Sequence, residues 1–85
     1  MKLFQSIRCG VHYRRFEREA DIPFIPHVGM TICEDDVLEF VIRNVVYDVK
    51  TKEIVLWSEQ WNISTEEDFK YTCNHMGERG WRRKE

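Results

Sequence analysis

The chain has 85 residues and a formal net charge of −2. This length allows one domain, and the charge argues against a general phosphate-binding protein, because nucleic-acid-binding domains usually show a pI above about 9. Charged residues make up 33% and aromatic residues 13% of the sequence. Disordered chains contain few aromatic residues, so we expect a folded, soluble domain over residues 1–85.

The cysteine content and the apolar patterning bear on the cellular compartment. The three cysteines cannot all pair within one chain, which favours a reducing environment over a disulfide-framed secreted module. The first residues lack the uninterrupted apolar stretch of a signal peptide. No segment approaches the roughly 20 apolar residues that cross a membrane. We therefore expect a cytoplasmic protein with no membrane partner.

Residues 1–19 are interpreted as a first strand followed by a charged connection. Between residues 3 and 13 apolar side chains fall mainly at odd positions, which predicts a half-buried strand. Gly10 inside this pattern indicates a bulge or a close backbone approach. Phe16 falls on the other parity, so the strand is expected to end near residue 14, and residues 14–21 are expected to form a connection.

Residues 20–29 contain both prolines, Pro23 and Pro26, and are interpreted as an extended crossing. Proline fixes φ and disfavours helix at the preceding residue. The prolines have the spacing of a polyproline II ligand, but no basic residue flanks them. We therefore interpret the segment as a rigid brace that packs through Phe24 and Ile25.

Residues 30–61 are predicted to form a β-meander. Its expected strands cover residues 30–33, 37–49 and 54–57. An acidic turn is expected at 34–36, since aspartate favours turns, and a short hairpin loop at 50–52. The apolar parity switches at Arg43–Asn44, which predicts a β-bulge that bends the long strand.

A capped helix is predicted within residues 64–81. Ser64 and Glu67 have the spacing of a capping box. An apolar stripe follows at helical spacing and consists of Phe69, Cys73 and Met76. The helix is expected to end at Gly80, with Trp81 folding back in a Schellman motif. Gly77 is the alternative end, and residues 82–85 are expected to be a frayed tail.

These elements predict an α+β fold. Its expected core is a strongly bent antiparallel sheet of about four strands with the C-terminal helix packed on it. An open SH3-like barrel capped by the helix is the alternative.

The sequence offers little for metal binding or catalysis. Cys9 and His12 lie three apart on a predicted strand and are expected to point to opposite faces. Cys73 and His75 lie on different sides of the predicted helix. No phosphate-binding loop or nucleophile motif occurs in the sequence. We therefore expect no metal, no cofactor and no enzymatic activity.

A candidate surface for a partner or a nucleic acid combines arginines with tryptophans. It consists of Arg8, His12, Arg14, Arg15, Trp57 and Trp61. If a tryptophan is exposed, bases could stack on its indole while arginines meet phosphates. The opposing interpretation pairs the arginines with carboxylates and places the tryptophans in the core.

The expected role is protein–protein contact or self-association. We infer this role mainly because the sequence offers no catalytic or metal-binding pattern. The aromatic content supports it, since aromatic residues are enriched at interfaces. The edge strand expected at residues 30–33 could add a strand from a partner or from a second copy. Single-stranded nucleic-acid binding is the alternative, and the acidic pI makes it the less favoured one.

Overall fold

A computed structural model describes residues 1–33 and 39–84, which form a seven-stranded, mostly antiparallel sheet and one helix. The strands are β1 (Lys2–Cys9), β2 (His12–Glu19), β3 (Thr31–Cys33), β4 (Glu39–Asp48), β5 (Glu53–Ser58), β6 (Trp61–Asn62) and β7 (Arg82–Lys84), and the helix is α1 (Glu66–Glu78). The sheet order is β3-β4-β5-β1-β2-β7, and β6 also pairs with β1. The α+β class is confirmed. The prediction of about four strands was wrong, and the open sheet does not match the SH3-like barrel.

The first predicted strand and its charged connection are together a hairpin. β1 and β2 pair antiparallel along their whole length, from Lys2 opposite Glu19 to Cys9 opposite His12. Gly10 has a φ of +59°, as the first central residue of a two-residue type II′ turn requires. The turn resets the parity of the side chains, so Phe16 is buried. The predicted connection was therefore wrong over residues 14–19.

β1 is a central strand with a parallel neighbour, which a simple meander does not contain. Residues 2–4 pair in parallel with residues 55–57 of β5. Further along, Ile7 pairs with Trp61 of β6. The first strand therefore organises the middle of the sheet.

The predicted meander is confirmed for β3, β4 and β5 and for its bulge, while residues 37–38 of the predicted long strand lie outside the described residues. β3 pairs with β4, and β4 pairs with β5, both antiparallel. The β4–β5 register shifts between Ile42 and Asn44, which is the bulge predicted at Arg43–Asn44. The turn predicted at residues 34–36 lies outside the described residues.

The helix begins one residue later than the capping pattern predicted. Thr65 is the N-cap, and its hydroxyl oxygen accepts a hydrogen bond from the backbone N–H of Asp68 at 3.1 Å. Ser64 was therefore the wrong cap, although the side-chain type and the location were close. Acidic residues in the first turn suit the positive end of the helix dipole.

Of the two helix ends that the sequence left open, Gly77 and Gly80, the structure has the one at Gly80. Gly80 has a φ of +87°, and its N–H donates to the carbonyl of Gly77 at 3.2 Å. The N–H of Trp81 donates to the carbonyl of Met76 at 3.0 Å. This pair of bonds is the Schellman motif, and it turns Trp81 back into the core.

The segment after the helix adds a strand to the sheet. Residues 82–84 pair antiparallel with β2, with Lys84 opposite Arg15 and Arg82 opposite Glu17. The prediction of a frayed tail was therefore wrong for residues 82–84, and Glu85 lies outside the described residues.

The core lies between the sheet and α1. Its buried members are Leu3, Ile7, Phe16, Phe40, Ile42, Leu56, Phe69, Met76 and Trp81. We call this side the inner face of the sheet and the opposite side the outer face. The proline crossing does not pack as predicted, because Phe24 is 41% and Ile25 76% exposed. Pro26 is buried instead, and Ile22 packs against the core.

Candidate functional site

An aromatic stack lies at the centre of the outer face. Side chains of directly paired strand residues project to the same face, and Phe4 on β1 pairs with Trp57 on β5. Their rings stack with centroids 4.5 Å apart and an interplanar angle of 14°. Trp57 keeps 36% of its surface exposed, whereas Phe4 is buried. The indole of Trp57 is therefore fixed by packing and still accessible.

Cationic side chains lie over the aromatic rings of this face. The guanidinium carbon of Arg15 is 6.0 Å from the centroid of Trp57. The ammonium nitrogen of Lys84 is 5.3 Å from the centroid of Phe4. Both distances fall within the range of cation–π attraction. The face therefore combines flat aromatic surfaces with positive charge.

One carboxylate organises several of these cations. Oε2 of Glu17 lies 3.6 Å from Nζ of Lys84 and 4.0 Å from Nζ of Lys2. Oε1 of Glu17 lies 3.8 Å from a guanidinium nitrogen of Arg82. The Glu17 carboxylate thus faces three cations and holds them in place, and Lys2 also acts on Glu53.

A groove of about 720 Å³ runs beside the stack toward the β4–β5 hairpin. Phe4, Val55 and Trp57 contribute apolar surface to it, and Lys2 and Lys84 contribute positive charge. Acidic side chains enter at the hairpin end, where the lining includes Asp48 and Glu53.

A second concavity lies at the opposite end of the face and is strongly basic. It measures about 390 Å³ and is lined by Tyr13, Arg14, Arg15, Arg83 and Lys84. We call these five residues the basic hollow. None of its described lining residues is acidic.

The structure divides the candidate surface predicted from sequence between two faces. Parity and pairing place Arg8, Arg15 and Trp57 on the outer face. His12, Arg14 and Trp61 have inner-face parity. Trp61 packs partly buried against the core, and the ring of His12 lies 5.9 Å from that of Phe69. The Gly10 turn separates Arg8 from His12 and Arg14, and Trp57 and Trp61 differ because they pair with Phe4 and Ile7, which have opposite parity on β1.

Sequence reasoning missed several residues of the outer face. These are Lys2, Phe4, Tyr13, Arg82 and Lys84. A hairpin centred on Gly10–Val11 would have placed Tyr13 with Arg8, because these residues then pair directly. For residues 82–84 the local pattern gave no strand signal, since all three are basic.

The described ranges contain no cluster of side chains suited to binding a metal ion. Cys9 and His12 pair directly across the turn, so the prediction that they diverge was wrong. No group of three His, Cys, Asp or Glu residues able to hold a metal ion occurs within residues 1–33 and 39–84. Burial raises the pKa of the Cys73 thiol, while the charges of Arg14 and Arg83 oppose that shift. A raised pKa keeps Cys73 protonated and weakly nucleophilic.

Comparison with known proteins found no relative of this chain. No protein-family model, no curated protein and no solved structure matches this chain. No helix in the described part of the chain is long and apolar enough to cross a membrane.

Proposed function

We propose that the protein binds single-stranded nucleic acid across the outer face of its sheet. The observation that carries this proposal is the Phe4–Trp57 stack with Arg15 and Lys84 lying over its rings. Sheet-borne aromatic rings provide platforms for unpaired bases, and neighbouring cations meet the phosphates. The accessible indole of Trp57 is the expected platform, and Arg15 is the expected phosphate contact beside it.

An unpaired strand suits this face better than a duplex. Duplex DNA is read by an element that enters a groove, whereas stacking on a protein ring requires a base that is not already stacked in a helix. Trp57 supplies the ring from a strand inside the sheet, between β4 and β1, and not from an element that projects into a groove. The preference for single strands therefore follows from how the aromatic surface is presented.

The distribution of charge supports a direction for the bound strand. Asp48 and Glu53 lie at the hairpin end of the groove together with Lys50, so that end is less favourable for phosphates than the basic hollow. Arg15 and Lys84 lead from the stack to the basic hollow. The strand is therefore expected to run from Trp57 toward β2 and β7. Part of the negative charge behind the net charge of −2 lies away from this face, in the first turn of α1.

Tryptophan fluorescence during titration with oligothymidylate at low salt tests the proposal. A length of about ten nucleotides falls within the roughly 4–16 that small single-strand-binding folds cover. We expect quenching, and affinity that falls as salt rises. Trp57→Ala should weaken binding about 5- to 150-fold, the equivalent of one stacked base.

Matched variants separate stacking from a general loss of structure. Trp57→Phe should bind while losing most of the quenching, and Trp61→Phe should retain both, because Trp61 has inner-face parity. Arg15→Gln should lower the slope of log affinity against log salt by about one. Absence of quenching with folded protein at low salt, or unchanged binding by Trp57→Ala, would refute the proposal.

Protein contact and self-association stay predictions, as does the lack of enzymatic activity. The β7 edge presents three basic residues, and such charges oppose pairing with an identical edge. Sedimentation velocity of the isolated protein tests self-association. A strict monomer at high micromolar concentration would count against it.

A further inference from the structure

The basic hollow gathers side chains from both faces of the sheet at one edge. Arg15 and Lys84 pair directly and have outer-face parity. Arg83 pairs with Phe16 on the inner face, and Arg14 shares the inner parity through its pairing with Ile7. All four line the same hollow of about 390 Å³. The β2–β7 edge therefore concentrates positive charge that neither face alone would hold.

The guanidinium groups of Arg14 and Arg15 are held by uncharged partners. Arg14 donates a hydrogen bond to the carbonyl of Tyr13 at 2.8 Å, and its guanidinium carbon lies 6.0 Å from the ring of Phe69. Arg15 lies over Trp57. Within the described residues neither arginine forms an ion pair, so their charges act on the hollow.

One described carboxylate contacts the hollow, and it is shared with cations that lie outside it. Glu17 contacts Lys84, Lys2 and Arg82. Of the hollow's residues it reaches Lys84, at 3.6 Å. The positive potential also extends to the helix side, where Arg14 and Arg83 act to lower the pKa of the Cys73 thiol against the effect of burial.

We propose that the basic hollow binds a phosphomonoester, namely the terminal phosphate of the bound strand. Such a group carries a charge of about −1.5 to −2 at pH 7. A phosphodiester linkage carries a single negative charge. The charges of Arg14 and Arg15, with Arg83 and Lys84 beside them in the lining, suit this dianion better than the single charge of an internal phosphodiester. Arginine also offers a planar pair of N–H donors that fits phosphate oxygens in bidentate fashion.

The position of the hollow supports a strand terminus. Arg15 both lines the hollow and lies over Trp57, so it connects the site for a phosphate with the site for a base. The terminal nucleotide would stack on Trp57 while its phosphate enters the hollow. This inference rests on the proposed single-strand binding and adds the chemistry of the strand end to it.

Oligothymidylates that differ in their termini test this inference. Three forms of one length carry a 5′-phosphate, a 3′-phosphate or no terminal phosphate, and their affinities are compared at constant ionic strength. We expect one phosphorylated end to bind about 10- to 100-fold more tightly, as for charge-assisted hydrogen bonds to an ionised group. Equal strengthening by both ends would indicate a general charge effect and would overturn the inference, as would no strengthening by either.

Variants of the hollow locate the effect. Arg14→Gln and Arg83→Gln should each reduce the ratio between phosphorylated and unphosphorylated affinities toward one. Lys70→Gln removes an exposed cation on α1 and should leave that ratio unchanged. Thermal unfolding of each variant identifies any that lose structure. Arg14→Lys keeps the charge but lacks the planar guanidinium, so it should give an intermediate ratio.

Inorganic phosphate distinguishes failure of this inference from failure of the proposed function. It is titrated against chloride at constant ionic strength while backbone amide resonances are followed by NMR. Shifts centred on residues 13–15 and 83–84 without any oligonucleotide binding would support the hollow and refute the proposed function. Binding of the unphosphorylated strand without phosphate-induced shifts in the hollow would support the proposed function and refute the inference about the hollow.

Discussion

The side-chain amide of Gln5 donates a hydrogen bond of 2.8 Å to the backbone carbonyl of Glu59. Gln5 is fully buried, and it lies where β1 passes from one parallel neighbour to the next. Phe4 pairs with Trp57, and Ile7 pairs with Trp61, so β1 advances three residues while its neighbours advance four. The extra residue interrupts the ladder, and the Gln5 amide supplies a donor at the interruption.

Replacing Gln5 with methionine should destabilise the fold. Gln5→Met keeps the length of the side chain but removes the bonds to Glu59 and to the carbonyl of Ser6. The Glu59 carbonyl retains the Ser58 hydroxyl at 3.0 Å. The substitution also removes Oε1 of Gln5, a buried acceptor with no hydrogen-bond partner among the described residues, so we expect a loss of about 1 kcal/mol in the free energy of unfolding. Urea denaturation measures it, and exposed Gln60→Met serves as the control, expected within about 0.5 kcal/mol of the parent. Equal midpoints for both variants would contradict a structural role for the Gln5 amide.

The helix cap distinguishes two adjacent hydroxyl residues. Thr65 accepts from the N–H of Asp68, whereas Ser64 is exposed and precedes the cap. Thr65→Ala should therefore cost about 0.5–2 kcal/mol, and Ser64→Ala should cost much less. Thermal unfolding of the two variants under one set of conditions decides the matter. A larger effect at Ser64 would mean that the helix begins one residue earlier.

Features with a local cause were predictable from the sequence. The parity switch at Arg43–Asn44 gave the bulge, because a bulge is needed to keep both apolar groups on one face. Gly80 followed by the apolar Trp81 indicated a Schellman ending, because the residue after the helix cap adopts a positive φ that favours glycine. The cap was misplaced by one residue because Ser64 and Thr65 are both suitable cap residues and each has an acidic residue three positions later.

Features that depend on distant pairing were not predictable. The parallel contact of β1 with β5 and the addition of β7 to β2 join segments far apart in the chain, and β-propensity carries little information about partners. The hairpin turn at Gly10 was missed for a different reason. Apolar residues at positions 11 and 13 continue the odd-numbered alternation past the turn, so the sequence pattern did not show that Gly10 separates two strands. That error placed His12 and Arg14 on the same face as Arg8, whereas the structure places them on the opposite face.

Lys52 is a site where glycine should stabilise the protein. Its φ of +56° costs a residue with a Cβ about 1–2 kcal/mol, while glycine adds about 0.4–1 kcal/mol of entropy to the unfolded chain. Lys52→Gly should therefore raise the free energy of unfolding by about 0.5–1 kcal/mol and the Tm by about 2–8 °C. Calorimetry measures both.

A neighbouring lysine provides the control for this hairpin. The N–H of Lys50 donates to Oδ1 of Asp48 at 2.9 Å, and Lys50 does not have a positive φ. Lys50→Gly should therefore lower the stability slightly through chain entropy alone. Stabilisation by both substitutions would point to loss of charge as the cause, and the backbone explanation for Lys52 would then fail.

Glu53 should make stability depend on pH. A hydrogen bond with the carboxyl of Glu19 raises the pKa of Glu53 above its ordinary value, with loss of hydration and the charge of Glu19 adding to the effect, and Lys2 opposing it. A group whose pKa is raised on folding contributes stability below its unfolded pKa, about 4.3 for glutamate. That contribution is lost as the pH rises through the folded value. The native protein should therefore lose stability as the pH rises from about 4.3 through the folded pKa of Glu53.

Glu53→Gln should remove this loss. At neutral pH the variant should unfold at a higher urea concentration than the parent, because it cannot acquire the charge that Glu19 disfavours. Near pH 3.5, below the unfolded pKa of about 4.3, the two midpoints should coincide. Glu59→Gln is the control, since Glu59 pairs with Arg43 at 3.0 Å and its neutralisation should leave the neutral-pH midpoint unchanged or lower. A Glu53→Gln protein that is less stable than the parent at neutral pH would show that the attraction of Lys2 outweighs the repulsion from Glu19.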